Sequence, residues 1–125
     1  MNKKQFSFQD RFLSFRFAFR GIRTLISDEH NAWIHSFIAV AVLICGFCFG
    51  LSSYEWIAVS FAIGFVFALE AVNSAIELLC DFVSPERHDV IGRVKDLAAG
   101  AVLFAAFTAV VIGVLVFFPK IVAIF

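Results

Sequence analysis

The chain has 125 residues, of which 62% are hydrophobic and 18 are phenylalanine, and its formal net charge is zero. A composition this apolar excludes an ordinary soluble or disordered protein, and the length suits a single domain over residues 1–125. With no excess of positive charge, we expect no nucleic-acid partner.

The first predicted element is an amphipathic helix over about residues 6–28. Large apolar side chains recur there at spacings of three and four, which places them on one helical face. They are Phe8, Phe12, Phe15, Phe19, Ile22 and Ile26. With arginines along one edge, the pattern is typical of a helix lying in the membrane interface. The alternative is a helix packed on its own protein outside the membrane.

Three membrane-spanning helices are predicted next, at about 32–50, 55–80 and 93–118. Residues 32–53 and 97–119 contain no Asp, Glu, Lys or Arg, and each stretch is long enough to cross a bilayer. Pro85 is expected to end the second span and Pro119 the third, because proline breaks helices. Arginine and lysine concentrate before the first span and between the second and third, so the N-terminus and second loop are predicted to be cytoplasmic.

The second predicted span carries side chains that are costly in a membrane. Glu70, Asn73, Ser74, Glu77 and Asp81 share one face of a helix with 3.6 residues per turn. A charge near the bilayer centre costs about 2.5–3.5 kcal/mol on insertion scales, and such residues mark functional sites by default.

Other charged residues are expected at a similar depth: Glu29 before the first span, and Lys95 and Asp96 at the start of the third. Mg²⁺ is bound by one or two carboxylates together with phosphates, and a lysine neutralises phosphate charge. These residues and Glu77 therefore predict a magnesium–nucleotide site. Glu70, placed deeper, suits a general base for a lipid hydroxyl.

Other interpretations of the same residues are open. Glu77 and Lys95 would also make a structural ion pair between spans, and a cation or proton pathway would use Glu70 and Glu77, although Lys95 opposes cation passage. A structural subunit of a larger complex is a third class.

His35 either orients a nearby polar side chain such as Asn31 or packs in the interior, and the sequence does not decide between these. The nucleotide-binding motifs of soluble kinases and P-loop proteins do not occur in the chain.

Residues 70–77, E-A-V-N-S-A-I-E, with Asp81, His88 and the G-R-V-K-D of 92–96, resemble the small integral-membrane prokaryotic diacylglycerol kinases. Their pattern is E-x-x-N-[ST]-A-I-E-x-x-x-D, a short loop, K-D and an alanine-rich third span. The resemblance extends over about residues 12–118. It implies an all-α homotrimer in the bacterial inner membrane, with active sites shared between subunits, that phosphorylates a lipid alcohol with ATP and Mg²⁺.

The resemblance also implies roles for individual residues. Glu70 resembles the general base, with Asn73 and Asp81 in support, and Glu29 and Glu77 resemble the metal ligands. The implied ATP-binding positions are Arg11, Phe17, Glu29, Glu77, Glu86, Arg87, His88, Lys95 and Asp96. The implied lipid-substrate positions are Glu70, Ser74 and Ala99.

Two departures bear on this resemblance. Proteobacterial members carry an arginine near position 10, where this chain has Asp10 followed by Arg11. The E-x-N-x-x-x-H of residues 29–35 is similar to the Gram-positive branch that phosphorylates undecaprenol, whereas residues 92–96 are more similar to the diacylglycerol branch. Diacylglycerol, giving phosphatidic acid, is the predicted substrate, and undecaprenol is the alternative.

Overall fold

A computed structural model describes residues 5–125, and residues 1–4 of the predicted domain lie outside this part. The described residues form four helices: α1 (Phe8–Asp28), α2 (His30–Phe49), α3 (Ser53–Val83) and α4 (Asp89–Ile124). Helices α2, α3 and α4 are each long and apolar enough to cross a membrane. This confirms the predicted all-α fold with three membrane-spanning helices.

Local sequence explains where the helices begin and end. Ser7 caps α1, and Ser52 and Glu55 form a reciprocal capping box at the start of α3. Gly50 ends α2 with a φ of 65°, a left-handed conformation that glycine adopts without a Cβ clash. His88 Nδ1 accepts a backbone N–H at the start of α4.

The third span is longer than predicted. We expected about 93–118, ended by Pro119, whereas α4 runs Asp89–Ile124 with Pro119 inside the helix. Proline removes one backbone hydrogen bond, but the turns on both sides of it continue. The ammonium of Lys120, just beyond the proline, lies 3.1 Å from Glu55 Oε1 and ties this turn to the start of α3.

The other predicted limits lie within two or three residues of the structure. Helix α1 begins two residues later than expected, and α3 extends beyond the predicted 55–80 at both ends. Differences of this size are ordinary for helix ends. Ser84, before Pro85, caps the C-terminus of α3 as the proline predicts.

Packing is most extensive between α3 and α4. Ala98 and Ala105 of α4 and Ala62 of α3 are buried, and small residues let membrane helices approach closely. Helix α2 approaches α3 at Gly46, where an added Cβ would lie 2.6 Å from the Trp56 ring. Most large apolar side chains of α2–α4 remain exposed in the single chain, as expected for surfaces that face lipid.

Helix α1 packs less than the others and is joined to α2 by a short connection at Glu29. The indole of Trp33 donates to the carbonyl of Ile26 across this connection. The apolar face of α1 is exposed, with Phe8 and Phe12 more than three-quarters accessible. Its location at a membrane surface stays a prediction.

Candidate functional site

Glu70 is the one charged side chain that is buried among residues 5–125, with 1% of its surface exposed. Its Oε1 lies 3.0 Å from His35 Nε2, so the contact joins α3 to α2. A buried carboxylate is costly unless it is paired and hydrogen-bonded. His35 is the partner that allows Glu70 to stay in the interior.

This contact is the part of the site that sequence reasoning missed. The sequence alone predicts that His35 either orients a polar residue near its own end of the span or packs in the interior. No periodicity links His35 to Glu70, because the two lie on different helices, 35 residues apart. A lone histidine in an apolar span facing a span with a buried carboxylate was the available signal.

The polar face of α3 continues from Glu70 towards the 84–88 loop. Asn73 Nδ2 donates to Glu77 Oε1 over 3.5 Å, and both side chains are half-buried. Asn73 Oδ1 and Ser74 Oγ are buried without a hydrogen-bond partner among the described residues. Unpaired buried polar atoms are uncommon in folded proteins, so this segment has free capacity for a ligand or another chain.

Asn73, expected to support Glu70, forms no hydrogen bond with it among the described residues. Asn73 contacts Glu77, four residues further along the same helix, where i,i+4 side chains are neighbours. The Glu70 carboxylate is directed to His35 instead. Asp81, the other expected support, is paired with Lys95.

The ion pair of Lys95 and Asp81 closes the polar face at the loop end. Lys95 Nζ lies 2.5 Å from Asp81 Oδ1, and the two side chains are 38% and 66% exposed. The Glu77–Lys95 pair considered from the sequence is therefore not formed. An ion pair this exposed contributes little to stability, so Lys95 can exchange Asp81 for another anion at small cost.

Three of the predicted nucleotide-binding residues lie together in the loop between α3 and α4. Glu86, Arg87 and His88 are exposed there, and the hydroxyl of Ser84 donates to the Glu86 carbonyl over 2.9 Å. His88 uses Nδ1 to cap α4. The loop is therefore held by local hydrogen bonds, with its charged side chains in solvent.

The remaining predicted residues of α4 lie on its outer surface. Asp96 and Ala99 are exposed. Asp96 also lines a shallow pocket with Arg93, Gly100 and Phe104. This surface extends along α4 from Arg93 to Phe104, and its Asp96 and Ala99 side chains are exposed.

Among residues 5–125, the predicted residues Arg11, Phe17 and Glu29 form no hydrogen bond or ion pair with the predicted site residues of α3 and α4. Arg11 and Phe17 are exposed, and Phe17 instead lies under the guanidinium of Arg20, 5.6 Å from the ring centroid. Glu29 is half-buried at the α1–α2 connection. Among residues 5–125, no group of three His, Cys, Asp or Glu side chains is arranged to hold a metal ion.

These features define a helical membrane protein with a buried carboxylate and a polar face leading to a charged loop. The family model described as "Prokaryotic diacylglycerol kinase" matches residues 16–117. The chain therefore belongs to the prokaryotic diacylglycerol kinase family. The resemblance of residues 70–96 to this family is thereby confirmed.

Three relatives illustrate the range of the family. An undecaprenol kinase of Bacillus subtilis is 43% identical over 109 residues, which is 87% of this chain and 89% of that protein. A diacylglycerol kinase of Synechocystis is 32% identical over 113 residues, 90% of this chain and 65% of that protein. A diacylglycerol kinase of Haemophilus influenzae is 29% identical over 106 residues, 84% of this chain and 90% of that protein. The chain is therefore a lipid kinase, and a kinase takes its phosphate from ATP.

Proposed function

We propose that the chain transfers the γ-phosphate of ATP to the hydroxyl of a membrane lipid alcohol at the site around Glu70. The observation that carries this proposal is the burial of Glu70 in the helical bundle, at one end of a polar face that reaches the half-buried Lys95. A lipid hydroxyl and a water-soluble nucleotide can approach such a face from opposite directions.

In the proposed reaction, Glu70 takes the proton of the lipid hydroxyl as general base. The lipid oxygen forms a bond to the γ-phosphorus while the bond from that phosphorus to the ADP oxygen breaks. Phosphoryl transfer depends mainly on positioning and charge stabilisation. The proposed roles of the other residues are therefore to hold the two substrates in line and to neutralise phosphate charge.

Glu77 and Glu29 are proposed to hold Mg²⁺, which neutralises phosphate charge when it is bound. The donors present suit this ion, because Mg²⁺ prefers oxygen ligands. Glu77 offers a half-buried carboxylate, and the adjacent Asn73 Oδ1 is a buried oxygen without a partner. Asn73 would orient Glu77 through the hydrogen bond that joins them.

ATP is proposed to lie at the loop end, with Lys95 on its phosphates. The neighbouring nucleotide-binding candidates are Glu86, Arg87, His88 and Asp96. Arg11, Phe17 and Glu29 make no hydrogen bond or ion pair with these residues in the part of the chain described. We propose a homotrimer, in which α1 of one subunit would serve the site of another.

The lipid is proposed to present its hydroxyl between Glu70 and Ser74, with Ala99 beside its path. Ser74 Oγ has no partner among the described residues. Orientation follows from the charges: the 84–88 loop and N-terminus face the cytoplasm, where ATP is present, and α1 lies on the inner-membrane surface.

Two lipid alcohols are candidates. Diacylglycerol is supported by residues 92–96 and by the diacylglycerol kinases of Synechocystis and H. influenzae. Undecaprenol is supported by residues 29–35, which include the His35 that contacts Glu70, and by the undecaprenol kinase of B. subtilis. An ion pathway has no support from the family.

The test is phosphate transfer from labelled Mg-ATP by purified protein in mixed micelles, with each lipid supplied separately. We expect label in the lipid fraction with at least one of them, and the ratio of the two kcat/KM values identifies the preferred acceptor. Transfer to neither lipid by an assembled protein would refute the proposal.

A further inference from the structure

An apolar cleft of about 290 Å³ lies between α2, α3 and α4. Its walls are aliphatic and aromatic side chains, including Val42, Val66 and Phe67, and His35 is the one polar side chain among the described residues that line it. His35 is also the lining residue of α2 nearest the N-terminus of that helix. The imidazole therefore closes one end of an otherwise apolar cavity.

Glu70 lies immediately behind this end of the cleft. It is three residues beyond Phe67 on α3, and its Oε1 is 3.0 Å from His35 Nε2. Because the surrounding walls are apolar, they offer the carboxylate no other hydrogen-bond donor from the cleft side. The orientation of the Glu70 carboxylate thus depends on one side chain from another helix.

We propose that His35 is a positioning residue for Glu70: its Nε2–H donates to Oε1 and directs Oε2 to the hydroxyl that is phosphorylated. The inference rests on the proposed function. His35 transfers no proton in this scheme. Glu70 receives the hydroxyl proton, the lipid oxygen bonds to phosphorus, and the bond to ADP breaks. The imidazole acts by holding Glu70 Oε2, which accepts the proton, next to the lipid hydroxyl.

The kinetic experiment compares three substitutions at position 35. His35→Leu removes the donor. His35→Gln keeps one, because the glutamine Nε2 is as many bonds from Cα as the histidine Nε2. His35→Asn is the matched control, whose amide is one bond shorter and does not reach Glu70.

We expect His35→Leu to lower kcat by about 10²-fold, the scale of a small misplacement of a reacting group. The KM values for ATP and lipid should stay within about 3-fold, because ground-state binding is not affected. His35→Gln should restore kcat to within about 10-fold of the native protein, and His35→Asn should not. Retention of kcat in His35→Leu would overturn the inference, and so would assembled His35→Gln protein as inactive as His35→Leu.

A double-substitution test covers the case in which His35→Leu does not assemble. In a Glu70→Gln background there is no buried charge to satisfy, so His35→Leu should be better tolerated. If His35 acts through Glu70, the second substitution lowers the residual kcat by less than about 2-fold, since the effects of coupled residues are not additive. A further loss as large as in the native background would show an independent role.

A spectroscopic measurement separates this inference from the proposed function. In protein labelled with ¹⁵N-histidine, the imidazole signals of His35 should shift on Glu70→Gln, while those of exposed His30 and His88 stay in place. Absence of a shift at His35 overturns the inference whatever the activity. If the His35 signals shift but the native protein phosphorylates no lipid alcohol, the proposed function is refuted and the contact between His35 and Glu70 is retained.

Discussion

Helices α3 and α4 are joined by an ion pair at each of their two ends. The two ends differ in the residues next to the ion pair, which are polar at one end and apolar at the other. At the loop end, Lys95 pairs with Asp81 over 2.5 Å, and polar side chains continue inward as far as Glu70. At the opposite end, Lys120 pairs with Glu55 over 3.1 Å, and apolar residues follow at once.

The difference separates polar groups that serve the fold from those that do not. Glu55 belongs to the capping box of α3 and also holds the α4 turn after Pro119, so the fold accounts for it. The Ser74 hydroxyl and the Asn73 side-chain carbonyl oxygen have no hydrogen-bond partner among residues 5–125. Buried groups of this kind are costly, and their location at one end of the helix pair is consistent with the site proposed there.

The most severe test of this comparison is Glu70→Gln. We expect lipid phosphorylation to fall by about 10³-fold, within the range for loss of a general base. Assembly should persist, because glutamine can still pair with His35. The control is Glu55→Gln, the same change at the opposite end, which should leave turnover nearly unchanged. Normal turnover in Glu70→Gln would remove Glu70 as the base.

The two lysines provide a matched pair of charge deletions. Lys95→Met should lower kcat/KM for ATP by about 10²-fold, because a positive charge on the phosphates is lost. Lys120→Met removes the same charge from an ion pair without a proposed ligand, and its kcat/KM should stay within about 2-fold, as for most partly exposed pairs. Equal losses would mean that the two ends do not differ in function.

The same Lys95→Met chain tests whether sites are shared between subunits. Co-assembled with Glu70→Gln chains, it should recover part of the activity that each variant lacks alone, because some sites would then contain both native side chains. The measurement is lipid phosphorylation by mixed assemblies of verified composition. No recovery would place each site within a single chain.

Glu77→Gln should have a smaller effect, visible in the metal dependence. We expect the Mg²⁺ concentration for half-maximal rate to rise by about 10-fold or more, and Asn73→Ala to raise it by about 10-fold through loss of the orienting hydrogen bond. The assay is a magnesium titration at saturating ATP. An unchanged Mg²⁺ requirement in Glu77→Gln would rule out Glu77 as a ligand.

The smallest expected effect on chemistry comes from Gly46→Ala, away from the polar face. Its Cβ would lie 2.6 Å from the Trp56 ring, so we expect a loss of stability of about 1–3 kcal/mol from overpacking. Activity per folded protein should be unchanged. Gly113→Ala is the control, since a Cβ there meets nothing within 4 Å. A loss of turnover in folded Gly46→Ala would extend the site beyond the loop end.

The placement of the candidate site residues could be predicted from the sequence where they lie on one helix or in one loop. Glu70, Asn73 and Glu77 share a face because helical periodicity is local, and Glu86, Arg87 and His88 lie together because they are adjacent. The partners of these residues could not be predicted in the same way. Asn73 contacts Glu77 rather than Glu70, because the Glu70 carboxylate turns towards another helix.

The sequence by itself determined the number of helices, their apolar lengths, the polar face of α3 and the family, all of which depend on local composition and spacing. Only the tertiary structure shows that His35 contacts Glu70 and that Lys95 forms an ion pair with Asp81. It also shows that α4 continues past Pro119, where Lys120 pairs with Glu55. Each of these depends on how separate helices pack and turn relative to one another. That arrangement is set by contacts between residues far apart in the sequence, and such contacts produce no periodic pattern from which they could be predicted.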